Sequence, residues 1–284
     1  MQPAPALQPL VQKSGEYLTA RGIANGRREA EWIFAETLKL TRLELYTKFD
    51  MPLAPDEVAR LRELVQRRGR REPLAYVLGN QEFHGLRLGV GAGVLVPRPE
   101  TEELVDRALA ELPAGACRVL DVGTGSGAIA LAIRHARGDC AVEASDISET
   151  ALSFARANGA ALGLEVAWRR GDLASGCVGP YDAVVANLPY IAESERGECD
   201  PELAFEPAQA LFAPDDGLAA MARLVGDAAR LLAPSGILWL EHGWRQGAAV
   251  RALAERAGMA ATTFADGAGR ERIARIVRPG HASP

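Results

Sequence analysis

The chain has 284 residues, too many for a small peptide scaffold and enough for two modest domains or one larger domain with an appendage. Hydrophobic residues at 48% and charged residues at 24% can fill a sizeable core, which excludes wholesale disorder. With 32 basic against 37 acidic residues the net charge is −5, so no global positive field points to nucleic acid.

The opening stretch MQPAPALQPLVQKSGEY lacks a basic n-region and a continuous apolar run, so it does not read as a secretory signal, and no later run is long enough to span a bilayer. Residues 1–73 predict short helices, because apolar positions recur at helical spacing in EAEWIFAETLKL and EVARLRELV. Gly22, Asn25-Gly26 and Met51-Pro52 to Pro55 supply the turns. The cluster Arg67, Arg68, Arg70 and Arg71 at the end of the last helix reads as a solvated complement to the helix dipole rather than as an RNA contact. From Leu74 to Val96 the pattern becomes an alternation broken by glycines, which predicts a β-hairpin linking two domains over residues 74–98.

After Pro99 the chain alternates helix and strand in the rhythm of a parallel sheet: TEELVDRALAEL, RVLDV, SGAIALAIRHAR, AVEAS, ETALSFARANGAALG and YDAVVAN. Residues 99–284 therefore predict an α/β domain of Rossmann-like type, closed by an antiparallel hairpin from ATTFA and RIARIV at one edge. Pro97-Arg98-Pro99 to Thr101 marks a helix start by its capping residues, or alternatively puts Arg98 and Thr101 at the rim of a cofactor pocket. Cys117, Cys140, Cys177 and Cys199 are few, widely spaced and never C-x-x-C, which argues against both a zinc knuckle and a disulfide framework and for a reducing, cytoplasmic setting. The histidines stand apart from one another and from cysteines at metal-ligand spacing, so no metal is expected.

The densest chemical signal is the strand Val119-Leu120-Asp121-Val122 running into Gly123-Thr124-Gly125-Ser126-Gly127 and then a helix. Glycines let a ligand approach the backbone, and the helix N-terminus offers unpaired N–H groups. Asp146 ends the next strand, where a carboxylate can accept from both ribose hydroxyls, so an adenosine-containing cofactor is expected. Asp172-Leu173, after a short strand, is placed to reach the adenine amino group or simply to shape a turn. Gly123, Gly125 and Ala128 also satisfy a dinucleotide pattern, but Asn187-Leu188-Pro189-Tyr190 after YDAVVA has no role in hydride transfer, which favours S-adenosyl-L-methionine. An amide or ring-conjugated nitrogen is a poor nucleophile. The Asn187 oxygen and the Leu188 carbonyl can hold its two hydrogens and aim it at a methyl donor, with Tyr190 packed on the planar group.

These features resemble a class I methyltransferase acting on planar nitrogen. REPLAYVLGNQEF (71–83), VPRPETE (96–102), LEHGWRQG (240–247) and DGAGRER (266–272) more narrowly resemble the bacterial protein-(glutamine-N5) methyltransferases of peptide chain release factors. The resemblance implies transfer of a methyl group from S-adenosyl-L-methionine to the glutamine of the Gly-Gly-Gln loop of class 1 release factors, with residues 1–73 docking that substrate. It implies cofactor contacts at Gly123, Thr124, Gly125, Ser126, Gly127, Asp146, Asp172, Leu173 and Asn187, and a substrate clamp at Asn187, Leu188, Pro189 and Tyr190. Neither a membrane nor a nucleic acid is an expected partner. The family usually reads N-P-P-Y; Leu188 stands where its first proline would be, with the carbonyl kept and backbone rigidity reduced. N-L-P-Y also resembles the rRNA adenine dimethyltransferases, so adenine-N6 methylation of RNA or DNA is the alternative, although those enzymes are not expected to carry PRPETE.

Overall fold

The computed structural model describes residues 4–280. Residues 1–3 and 281–284, which belong to the first and last domains expected from the sequence, lie outside the described residues. Two compact units are present: the chain up to Asn80 with Asp200–Phe205, and Gln81–Cys199 with the chain from Glu206 onward.

The first unit is helical, with α1 (Leu7–Ala20), α2 (Gly26–Leu38), α3 (Arg42–Thr47), α4 (Pro55–Gly69) and α5 (Leu74–Leu78). Local chemistry sets the starts. Thr41 and Glu44 exchange hydrogen bonds in a capping box before α3, and Pro55 opens α4 where its missing N–H costs nothing. Leu7, Leu18, Ile33, Phe34, Leu53 and Leu61 form the core. The arginine cluster is not simply solvated, as its position at a helix end had suggested. Arg68 is buried between Glu29 and Glu202, Arg67 pairs with Glu72, and Arg71 bonds the Gly22 carbonyl and Glu202.

Leu74–Leu78 is a helix and not the first strand of the hairpin. A run of five apolar residues fits either state, and here Ala75, Tyr76 and Val77 are all buried, so no face had to alternate. The hairpin itself is short: β1 (Asn80–Phe83) pairs with β2 (Leu86–Gly89) across His84-Gly85.

The second unit is built on seven strands. β3 (Arg118–Val122), β4 (Ala141–Asp146), β5 (Ala167–Arg170), β6 (Tyr181–Asn187), β9 (Leu232–Glu241), β10 (Ala260–Ala265) and β11 (Glu271–Val277) lie in the order β10-β11-β9-β6-β3-β4-β5. β9, β6, β3, β4 and β5 are parallel and β11 is antiparallel to both neighbours, so the C-terminal hairpin does close one edge. Helix α7 (Ala128–Ala136) joins β3 to β4, α8 (Glu149–Leu162) joins β4 to β5, and α11 (Ala219–Leu231) leads into β9, while β5 runs to β6 without a helix. α6 (Pro99–Glu111) precedes β3 and α12 (Gly247–Arg256) follows β9. Strand alternation divides the core into two layers. Val119, Val185 and Trp239 pack with Leu104, Leu131 and Ile133 on one face, while Leu120, Val184 and Leu238 pack with Met221, Leu224 and Val250 on the other. Residues 191–217, of which Asp200–Phe205 belong to the first unit, carry no clear period and form two 3₁₀ turns, α9 (Ala208–Leu211), the paired strands β7 (Ile191–Ala192) and β8 (Phe212–Ala213), and the turn α10 (Pro214–Gly217).

Cys117 and Cys140 form a disulfide, contrary to the expectation from their spacing. They immediately precede Arg118 and Ala141, which are partners in the β3–β4 ladder. Parallel register alone brings together two cysteines whose separation along the chain carries no such message. Among the described residues, no helix is long and apolar enough to cross a membrane.

Candidate active site

β3 is followed by β4 on one side and flanked by β6 on the other, so the sheet's topological switch point lies between β3 and β6. Ligands of open α/β sheets sit in the crevice at the carboxyl ends of such strands. Here those ends deliver the glycine loop and Asn187.

The loop leaves β3 pinned to β4, with the Gly123 and Thr124 N–H groups both donating to the Ser145 carbonyl (2.8 and 3.0 Å). At Gly127 an added Cβ would meet Trp168, Leu131 and Ala155 at 3.0–3.2 Å, so this glycine is needed for helix-to-sheet packing. At Gly125 the nearest atom is Val94 Cγ2 at 3.8 Å; space there is left on the cavity side, with φ at +58°. The Asp146 carboxylate accepts from the Gly125 N–H (2.9 Å) through one oxygen and from the Ser148 N–H (2.8 Å) through the other. Burial pushes its carboxyl above the usual carboxylate range, against the pull of those N–H groups.

Asp121 lies beneath the loop and is fully buried. Its Oδ2 accepts from the Thr124 hydroxyl (2.5 Å) and the Ala130 N–H (3.1 Å), while Oδ1 has no partner among the described residues. Burial raises this carboxyl from 3.8 to about 7. The folded chain thus holds a proton that the unfolded chain releases. The associated stability is fully present below the unfolded pKa and is lost as pH rises through about 7. Asp121→Asn, whose oxygen can keep both bonds, is expected to gain melting temperature relative to the unmodified chain as pH rises from about 4 to about 7, and to hold that gain above it. Thermal unfolding across that window checks this; parallel curves would show that Asp121 does not titrate there.

Gly123, Thr124, Gly125, Ser126, Asp146, Asp172, Leu173, Asn187, Leu188 and Pro189 line one cavity of about 230 Å³. The structure thus brings together the glycine loop and three residues of the tetrapeptide. Gly127 lies behind the loop in the packing just described. Tyr190 lines a second depression with Trp244 and Arg272, and its hydroxyl donates to Glu241. Asp172 is paired with Arg223 at 2.7 Å.

Arg98 and Thr101 also line the cavity; neither makes a side-chain cap to α6. Arg98 pairs with the buried carboxylate of Glu206, which also accepts from the Val96 N–H (2.9 Å). Thr101 is buried and hydroxyl-bonded to Glu241 Oε2 at 2.7 Å, and Asn187 Nδ2 donates to Thr101 Oγ1 at 3.0 Å. Burial raises the Glu241 carboxyl above its ordinary range, opposed by hydrogen bonds from Thr101 and Tyr190. Reasoning from the residues did not identify Glu206 or Glu241 as site residues. Glu206 has no local pattern, and Glu241 stood only inside LEHGWRQG, where nothing in the spacing tied it to Asn187.

Comparison with known proteins bears on this arrangement. The family model described as PrmC N-terminal domain matches residues 10–79, and the one described as Methyltransferase small domain matches residues 104–213. The release factor glutamine methyltransferase of Deinococcus radiodurans is 39% identical over 275 residues, which are 96% of this chain and 99% of that protein. The protein of the same name from Bordetella pertussis is 42% identical over 251 residues, 87% of this chain and 93% of that protein. Among solved structures, a methyltransferase from Pyrococcus furiosus aligns with a TM-score of 0.53 over 78% of this chain and 98% of that chain, at 18% identity, a likeness of fold.

Proposed function

Because the chain belongs to the release factor glutamine methyltransferase family, we propose that it transfers a methyl group from S-adenosylmethionine to the side-chain amide nitrogen of the glutamine in the Gly-Gly-Gln loop of class 1 peptide chain release factors. One juxtaposition carries the proposal. Asn187 and Leu188 line the same cavity as the glycine loop, so a planar nitrogen held by the first faces a ligand cradled by the second.

The residues present fit an adenosine-containing cofactor. The open space at Gly125 is a cradle that a Cβ would fill, and the Asp146 carboxylate, with about four lone-pair sites, keeps acceptor capacity for a ribose hydroxyl beyond its backbone N–H bonds. Asp172 and Leu173 would border the adenine, and Gly123 to Ser126 would follow the amino-acid end. When bound, the cofactor supplies an electrophilic methyl group on a sulfonium centre. The chain's own residues supply position and electrostatics. Asn187 Oδ1 and the Leu188 carbonyl accept the two N–H bonds of the glutamine amide, which fixes its nitrogen and enriches it in electron density. Pro189 limits the backbone freedom of that clamp. The surplus N–H proton stays on the nitrogen until transfer, when the group has become acidic enough to release it to water, so no dedicated base is needed. The helical unit that ends at Asn80 would dock the release factor, the short β1–β2 hairpin would follow it toward the methyltransferase domain at 99–284, and a cytoplasmic setting fits that substrate.

The test is incubation with labelled S-adenosylmethionine and a purified class 1 release factor, followed by mass spectrometry of the Gly-Gly-Gln peptide. One added methyl group on the glutamine is expected. Label on adenine of RNA, with none on the release factor, would replace the proposal with the nucleic-acid alternative.

A further inference from the structure

β9 runs beside β6 in parallel, and the ladder sets Glu241 directly opposite Asn187. The Glu241 side chain is buried, with Oε2 accepting from the Thr101 hydroxyl at 2.7 Å and Oε1 accepting from the Tyr190 hydroxyl at 3.2 Å. With its proton committed to Glu241, the Thr101 oxygen is left as an acceptor, and it takes the Asn187 Nδ2 donor at 3.0 Å. A short polar relay therefore runs Glu241 to Thr101 to Asn187. Asn187 Oδ1 is left without a partner among the described residues, at the wall of the cavity.

Five residues on, Gln246 accepts from the Gly243 N–H at 2.8 Å and donates to the Tyr190 carbonyl and the Asp216 carbonyl, both at 2.8 Å. Tyr190 is thus held at its hydroxyl by Glu241 and at its backbone by Gln246. LEHGWRQG, which lies outside the cavity, braces the Asn187-to-Tyr190 tetrapeptide from behind.

The two ends of an asparagine amide have nearly the same shape, so packing alone does not choose which one faces a ligand. Only hydrogen-bond partners choose. An NH₂ turned toward another amide's N–H bonds would set donor against donor. We propose that Glu241 is a positioning residue: through the Thr101 hydroxyl it fixes the orientation of the Asn187 amide, so that the oxygen and not the NH₂ meets the acceptor nitrogen. The role rests on the acceptor being a glutamine amide, as proposed above.

The experiment measures kcat, KM for a purified release factor, S-adenosylmethionine affinity by calorimetry and melting temperature for four variants. Thr101→Val keeps the shape and removes the relay; Glu241→Met removes the acceptor and leaves no buried charge, which covers a failure of Thr101→Val to fold. Each is expected to lower kcat by about one to two orders of magnitude, with KM and cofactor affinity within about twofold. Thr101→Ser keeps the hydroxyl. Glu241→Gln can present its oxygen to Thr101 and its NH₂ to Tyr190. Both should recover most of the lost turnover. Unchanged kcat in Thr101→Val and Glu241→Met overturns the role, as does a parallel fall of kcat, cofactor affinity and melting temperature that the conservative pair does not rescue. No methylation of the release factor by the unmodified chain would overturn the functional proposal, and the positioning role with it.

Discussion

Asn187→Ala is expected to reduce kcat by about 10²–10³, the scale seen when one preorganised polar contact to a reacting group is removed. Asn187 ends β6 at the switch point, lines the cavity and has its NH₂ committed to Thr101, which leaves the carbonyl oxygen as the group proposed to meet the acceptor. Truncation removes that acceptor without opening the loop, since Gly123 and Thr124 are held by the Ser145 carbonyl and Asp146 holds Gly125. Cofactor affinity should therefore stay within about twofold, and the loss should fall on kcat, as for a contact that orients the acceptor. Leu188→Pro is the informative companion. It keeps the carbonyl, so turnover should remain within a few-fold, while stability falls because the Leu188 side chain is buried against the Gly123 turn. Steady-state kinetics with a release factor, beside calorimetric titration of S-adenosylmethionine, separates these effects. Full turnover by Asn187→Ala, or abolition by Leu188→Pro, would mean that the amide is held by other groups.

Gly125→Val is expected to abolish cofactor binding, by at least about 100-fold, equivalent to roughly 2.7 kcal/mol. Gly125 has a left-handed φ of +58°, which a β-branched residue adopts at a cost of about 1–3 kcal/mol. The nearest protein atom to a Cβ there is Val94 Cγ2 at 3.8 Å, so the new methyl groups project into the cavity and not into the core. The chain should fold with a modest drop in melting temperature and leave no room for the ligand. Gly127→Val is a contrasting case: its Cβ would press on Trp168, Leu131 and Ala155 at 3.0–3.2 Å, so folding itself should suffer. Calorimetry with S-adenosylmethionine on folded Gly125→Val decides the matter, and affinity within a few-fold of the unmodified chain would place the ligand elsewhere.

Much of the molecule is legible in its sequence, because its signals are local. Val119 and Leu120 alternate between two core layers as a period of two requires, and Gly123 to Gly127 occupy the turn where the backbone needs left-handed φ or close packing. The helical spacing of EAEWIFAETLKL and EVARLRELV becomes α2 and α4 for the same reason. Asp146 and the glycine loop share one cavity because adjacent parallel strands end together, a consequence of the β-loop-α order itself.

Other features depended on partners far along the chain. The apolar run Leu74–Leu78 read as the start of the hairpin but is a helix, because the burial of Ala75, Tyr76 and Val77 together is set by neighbours and not by an alternating pattern. Cys117 met Cys140 only through the register of β3 on β4, and Arg68 left solvent only because Glu29 and Glu202 converge on it. The same holds at the site. Thr101 and Glu241 are 140 positions apart, Val96 and Glu206 are 110 apart, and no periodicity links either pair. Strand and helix patterns report which face of an element is buried, and glycines report where the backbone must turn. Which polar side chains share a buried hydrogen bond is set by strand order and register, quantities that exist only once the sheet has assembled. The composition and local spacing of this chain determined its layers and its glycine cradle, while the orientation of the Asn187 amide was decided by the tertiary pairing of β6 with β9.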